Sequence, residues 1–255
     1  MAKRIESLKI IDKQQLNKDV FILELSGREK LPEMFPGQFV EVKVEGSPGT
    51  FLRRPFSIHQ VNYGQNSFRL LIQVAGKGTE TLSRLVSGDY INLIYPLGNS
   101  FSIPLNAEKL LLVGGGCGVA PLLFLGNHLR ANGHVPDILL GFRDSERIIE
   151  YDDYLKTGRV FLTTEDGSRG EKGFVTDHSV LKSAKYDRVY CCGPEAMMKE
   201  VAAYCRENGI ECEVSLENLM GCGIGACLCC TVLTVRGNLC TCTDGPVFNI
   251  NDLKW

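Results

Sequence analysis

The sequence predicts an α+β multidomain chain: an antiparallel β-barrel over 1–103, a parallel α/β sheet over 104–211 and a small cysteine-rich domain over 212–255. Three observations carry this. Short strand candidates separated by turn residues fill the first hundred positions. Strands then alternate with helical stretches from about Pro104. Six of the 11 cysteines fall between Cys222 and Cys242.

In the first unit Val40, Val42 and Val44 alternate with Glu41 and Lys43 after Pro36-Gly37, the pattern of a half-buried strand. Val20–Leu25, Phe68–Val74 and Tyr90–Ile94 are further strands, divided by Asn62-Tyr-Gly, Gly76-Lys-Gly and Ser87-Gly-Asp. Many short strands at this spacing predict a small barrel. In the second unit Leu110–Val113 is a buried strand, and Pro121 opens a helix that Gly133 closes. Asp137–Leu140, Val160–Thr163 and Arg188–Cys192 follow as strands, and the last leads through Gly193-Pro194 into a helix ending near Asn208-Gly209. Met197, Val201, Tyr204 and Cys205 share one face of that helix. Strand–helix alternation predicts a parallel sheet. From about Cys212 periodicity fades, and so Gly/Cys-rich a segment is expected to lean on a bound metal centre to fold.

Composition narrows the function classes. With 44% apolar and 23% charged residues and a formal net charge of -2, the chain is an ordinary globular protein, with no bias toward nucleic acid or membrane surfaces. The N-terminal Met1-Ala-Lys-Arg-Ile-Glu-Ser-Leu lacks an apolar signal region, and no apolar run spans a bilayer. A cytoplasmic location is expected. The four histidines (59, 128, 134, 178) are scattered, so surface or core roles are expected of them, and no acid–base catalytic residue is expected.

An odd cysteine count, packed into one cluster, argues for metal over disulfides. Cys222, Cys227, Cys230 and Cys242 read C-x4-C-x2-C-x11-C, the plant-type spacing for a [2Fe–2S] cluster. Cys230 preserves the x2 spacing that Cys229 would break, whereas Cys240, two before Cys242, leaves the fourth position less constrained. A zinc ribbon would want paired C-x2-C knuckles, and only Cys227–Cys230 has that spacing.

Two further motifs precede the cluster. Arg54-Pro55-Phe56-Ser57 offers a bidentate phosphate donor, a rigid turn, a flat face and a hydroxyl suited to a flavin. Gly78 and Thr79 follow in a Gly-Lys-Gly-Thr turn able to form an anion nest. Gly114, Gly115, Gly116 and Gly118 lie between a strand and a helix, where a pyrophosphate can approach the helix N-terminus. Cys192, Gly193 and Pro194 end a later strand, at the side of the sheet where ligands gather. Cys191 and Met198 read as core.

These motifs, in this order, resemble the ferredoxin–NADP reductase superfamily. The tail from Ser215 to Phe248 is similar to that of one family within it, the electron transfer subunits of NAD-dependent (type B) dihydroorotate dehydrogenases. The resemblance implies an FAD barrel, an NAD domain and a C-terminal [2Fe–2S] domain. It implies FAD contacts at Arg54–Ser57, at Leu71, Ile72 and Gln73, and at Gly78 and Thr79. It also implies an FMN-containing catalytic partner that oxidises dihydroorotate to orotate in pyrimidine biosynthesis, with two copies of each subunit. Gln73 stands where the family leads one to expect arginine. On this reading a flavin exchanges a hydride with NAD and single electrons with the cluster. The other readings are a diaphorase subunit of a hydrogenase or transhydrogenase-like assembly, and a non-enzymatic metal-binding module. NAD is expected over NADP because Asp144 and Glu146 follow the second α/β strand and would repel a 2′-phosphate, although Arg143 and Arg147 are adjacent and would attract one. Glu217 can stand near the flavin or be a plain solvated carboxylate.

Overall fold

The computed structural model describes residues 3–255, so Met1 and Ala2 of the N-terminal stretch read above lie outside the described residues. Six strands close the predicted barrel: β1 (Arg4–Gln15), β2 (Val20–Ser26), β3 (Phe39–Val42), β4 (Arg54–Asn62), β5 (Ser67–Gln73) and β6 (Tyr90–Leu97), in the order β1-β2-β5-β4-β3-β6. Neighbouring strands are antiparallel. The short helix α1 (Lys77–Ser83) follows β5. Phe21, Leu23, Ile58, Phe68, Leu70 and Tyr95 fill the barrel interior. The long β1 escapes sequence reading because only Leu8 and Ile10 along it are buried.

The second unit is built from β7 (Leu110–Gly115), α2 (Val119–Ala131), β8 (Asp137–Phe142), α3 (Tyr151–Leu155), β9 (Arg159–Thr164), β10 (Glu171–Lys172), α4 (Val180–Ser183), β11 (Arg188–Cys192), α5 (Glu195–Glu207) and β12 (Glu211–Ser215). The sheet order is β10-β9-β8-β7-β11-β12, all parallel. Alternation along β7 separates two cores. Leu110 and Leu112 face Leu122, Leu125 and Tyr154 on one side, while Leu111 and Val113 face Met198, Val201 and Cys205 on the other. Cys191 and Met198 are core, as read from sequence. The helix of Pro121 starts two residues earlier, at Val119, after a single 3-10 turn over Gly116–Gly118. Phe124 of α2 reaches across into the barrel core.

Two findings differ from expectation. Strand β12 spans position 212, so the sheet continues to Ser215. The tail adds a hairpin, β13 (Thr231–Thr234) and β14 (Gly237–Cys240), and a last strand, β15 (Val247–Asn249), which pairs antiparallel with β12. Val247, Phe248, Ile250 and Leu253 are buried against the sheet, so the segment has more core of its own than its composition suggested. Strand β3 is buried along its whole length rather than half-buried, because the tail covers its outer face: Phe39 packs with Leu97, Met220, Cys230, Cys240 and Cys242.

Candidate functional site

The direction of travel across the α/β sheet reverses between β7 and β11, and a crevice at the carboxyl ends of such strands is the general ligand site of open α/β sheets. The turns after β7 and β11, both singled out in the sequence, meet there. A methyl group added to Gly118 would lie 2.3 Å from the carbonyl oxygen of Cys192 and 2.5 Å from Cα of Gly193, so the two turns interlock through backbone. Gly114 is packed among Leu122, Val119 and Leu140, and Gly115 against Met197 and Pro194. Gly116 alone of the four is open to approach, at φ +54. Close packing, more than access for a phosphate, therefore explains most of this glycine run. Burial pushes the Cys192 thiol well above its ordinary pKa. Glu217 is exposed, stands near Cys117 and Cys192, and desolvation raises its carboxyl pKa.

The flavin motif occupies a split in the barrel wall. The β4–β5 ladder ends at Ile58↔Leu70, while β4 continues its pairing with β3 from Ser57 to Arg54. The backbone of Arg54–Ser57 therefore faces that of Leu71–Gln73 without ladder bonds between them. Unpaired strand backbone seeks a partner, and this slot is where the motif residues converge. The Leu71 and Ile72 side chains are buried in cores, which leaves their main chain to face a ligand. At one end of the slot Arg54 stands beside the start of α1, its Nε 3.5 Å from a methyl built on Gly78. Thr79 Oγ1 accepts the N–H groups of Ala75 and Gly76 at 2.9 and 3.1 Å and fixes that turn. A guanidinium beside helix-start N–H groups suits a diphosphate.

Slot and crevice touch. Gln73 Oε1 accepts the Cys117 thiol hydrogen at 3.4 Å. Burial pushes that thiol up to about 12.

The cysteine tail lies on the other side of the flavin motif. Cys222 Sγ accepts the N–H of Ala226 at 3.3 Å. The N–H of Ile224, with those of Cys227 and Ala226 and the Cys227 thiol, holds the Cys222 thiol down at about 6. Cys222 thus neighbours Cys227, and Cys242 neighbours Cys230. Burial and that neighbour push Cys242 up to about 12. Two thiol pairs with backbone donors around one of them fit a two-iron cluster, which takes two sulfurs on each iron. Among the described residues no three His, Cys, Asp or Glu side chains converge on one point. Cys229 is exposed; Cys240 also neighbours Cys230, and its N–H is bound to Asp244 Oδ2 at 2.7 Å.

One residue between slot and cysteines was not legible. Glu41 of β3 is fully buried, neither carboxylate oxygen has a partner among the described residues, and burial raises its pKa to about 7 against the pull of Arg53. A methyl built on Gly223 would touch its Cγ at 2.4 Å. From sequence it is one polar residue in an alternating strand. Cys117 stands inside the glycine run, where the sequence pattern marks only the glycines.

Two family descriptions match the chain. Residues 217–254 match the iron-sulfur cluster binding domain of dihydroorotate dehydrogenase B, and residues 7–101 match the oxidoreductase FAD-binding domain. Among similar proteins, the dihydroorotate dehydrogenase B (NAD(+)) electron transfer subunit of Clostridium perfringens is 43% identical over 84% of each chain. The corresponding subunit of Clostridium acetobutylicum is 40% identical over 97% of this chain and 96% of its own, and that of Lysinibacillus sphaericus is 37% identical over 96% of each. A solved structure of an NADH-dependent reduced ferredoxin-NADP oxidoreductase is similar at 31% identity and TM-score 0.88, covering 97% of this chain and 90% of that one. The ferredoxin reductase of carbazole 1,9a-dioxygenase shares the fold at 20% identity and TM-score 0.71.

Proposed function

The chain belongs to the family of electron transfer subunits of NAD(+)-dependent dihydroorotate dehydrogenase B, and from that premise we propose that it moves electrons between NAD(H) and the flavin (FMN) of a dihydroorotate-oxidising subunit. It is an oxidoreductase component with an FAD-binding domain and an iron–sulfur domain. The observation that carries the reading is the alignment of three sites in one molecule. The NAD crevice meets the flavin slot at Cys117–Gln73, and the slot meets the cysteine loop across β3.

When bound, FAD would supply the chemistry that couples hydride exchange with NAD to single-electron exchange with a [2Fe–2S] cluster. The chain supplies placement. Arg54 and the α1 turn would hold the diphosphate, and the main chain of Leu71–Gln73 with Phe56 and Ser57 would line the ring. The turns Gly114–Gly118 and Cys192–Pro194 would seat the nicotinamide dinucleotide. Cys222, Cys227, Cys230 and Cys242 would hold the irons. Phe51, Leu52, Leu219, Ile224 and Leu228 form an exposed apolar collar about the cysteine loop, and exposed patches of this kind mark protein contacts. The catalytic subunit docks there, in an assembly with two copies of each chain, in the cytoplasm.

Reconstitution tests the reading. Mixed anaerobically with an FMN-containing dihydroorotate-oxidising subunit, the FAD- and iron-loaded chain should form NADH when dihydroorotate and NAD+ are supplied. Absence of stimulation would refute the partner and favour a reductase subunit of another electron-transfer assembly, the reading to which the likeness at 31% identity points. Two substitutions probe the cofactor sites. Arg54→Ala should weaken FAD retention by about 10- to 100-fold, the worth of one charge-assisted contact, as read by flavin titration. The Arg147 Nε–H donates to Asp144 Oδ2 at 3.1 Å, so Asp144 occupies that guanidinium. Asp144→Asn should release it and lower the KM for NADPH about fivefold, the worth of a half-exposed ion pair of roughly 1 kcal/mol.

A further inference from the structure

Two carbonyls in the first turn of α2 are gripped from outside the helix. Ala120 O accepts the Nδ1–H of His59 at 2.9 Å, and Val119 O accepts the Tyr154 hydroxyl at 2.5 Å. Carbonyls at these helix positions already have the N–H four residues on as partner, so neither bond is needed to complete the helix. What both do is fix where it starts. Tyr154 belongs to α3. His59 belongs to β4, two residues beyond Ser57 of the flavin motif.

His59 has a second contact. Its Nε2 lies 2.6 Å from Glu150 Oε2, with the two side chains only 1% and 4% exposed. A carbonyl can only accept, so Nδ1 carries a hydrogen. Were the ring neutral with its proton there, Oε2 would meet a lone pair and stand buried without a donor. A second proton therefore lies in the contact, on Nε2 or on the carboxyl, and completes a chain Glu150–His59–Ala120. Glu150 itself is held at φ +59 immediately before α3. Such a conformation in a non-glycine residue costs on the order of 1–3 kcal/mol and persists where surrounding structure over-determines it. A strained, buried acid joined to a buried histidine of another unit is a connection made for location.

We propose that the His59–Glu150 pair is a positioning device for the exchange between nicotinamide and flavin. It pins the first turn of α2, and with it the glycine turn after β7, at a fixed distance from the flavin strand β4. The inference rests on the reading above that the glycine turn receives NAD and β4 receives FAD. Neither residue touches the reacting atoms; His59 acts through Ala120. The Cys117–Gln73 contact on the same turn depends on the placement so maintained.

The test uses the FAD- and iron-loaded chain in complex with its partner. In anaerobic stopped-flow, His59→Ala should lower the limiting rate of flavin reduction by NADH at least about tenfold, since small misplacements of bound reactants cost up to about a hundredfold. The NADH concentration giving half that rate should shift by less than about twofold, because the binding groups remain. His59→Asn, which keeps a donor for Ala120, should recover part of the rate. Glu150→Gln should resemble His59→Ala, and the double variant should lose no more than the worse single, as for residues of one unit. Without NADH, amide hydrogen exchange over residues 116–124 should rise at least about tenfold in His59→Ala relative to wild type while the tail stays unchanged. Limiting rates within twofold of wild type in both single variants, or unchanged exchange in the turn, would overturn the proposal. If wild-type flavin is not reduced by NADH, the functional reading fails, and the exchange measurement still decides the latch. If His59→Ala does not fold, Glu150→Gln and His59→Asn carry the same comparison.

Discussion

Cys242→Ser is expected to empty the chain of iron and labile sulfide, while Cys229→Ser and Cys240→Ser keep both. Cys242 is buried beside Cys230 and is the one proposed ligand from beyond the β13–β14 hairpin. Serine is a poor ligand for a soft iron–sulfide centre. Electron passage to the catalytic subunit should fall at least about a hundredfold, more than is lost when groups that merely support a ligand are changed. Reduction of a dye by NADH, which needs only the crevice and the slot, should remain within a few-fold of wild type. Iron analysis together with the two assays separates the outcomes. Iron retained in Cys242→Ser and lost in Cys240→Ser would mean that the fourth ligand is Cys240.

The second large effect is expected at Gly118. In Gly118→Ala the new methyl would meet the Cys192 carbonyl oxygen at 2.3 Å, and both neighbours are backbone. No flexible side chain can yield, so the turns after β7 and β11 must part. Overpacking of this kind destabilises by about 1–3 kcal/mol, which for a chain of this length lowers the melting temperature by roughly 2–12 °C. Because the parted turns are the proposed walls of the dinucleotide crevice, kcat/KM for NADH should fall by about a hundredfold. Gly116→Ala provides the contrast. Its methyl meets no atom within 4 Å, so the only penalty is the +54° φ, on the order of 1–2 kcal/mol. Equal losses in the two variants would mean that the interlock of the turns does not matter.

The fold was legible where periodicity was clean. Val40 and Val42 announce a strand, and the Gly133 that closes α2 adopts the positive φ of a helix end, at +86. Strand β12 escapes sequence reading although Cys212 and Val214 alternate with Glu211 and Glu213, because the cysteines nearby suggest that regular structure ends there. The proposed cofactor motifs can be read from sequence because each is local: four residues of β4, five of one turn, three thiols of one loop. What joins the motifs cannot. Gln73 to Cys117, His59 to Glu150 and Glu41 to Gly223 are contacts across 44 to 182 positions of sequence, and a single chain without structure carries no signal for such pairs. Glu41 shows this most clearly: its alternation with Val40 and Val42 predicts solvent, and only the tail folded over β3 removes it from water.

The strand that closes the sheet has a consequence for truncation. Strand β15 pairs with β12 from Glu213 to Ser215, and Asn99 at the end of the barrel donates to the carbonyls of Asp244 and Val247. Cutting the chain before the cysteines would therefore do more than delete a redox centre. It would leave β12 as a raw edge, with free N–H and C=O groups above uncovered apolar side chains, a template for pairing between molecules. A shortened chain should come out of the cell as aggregate rather than as a yellow, iron-free reductase.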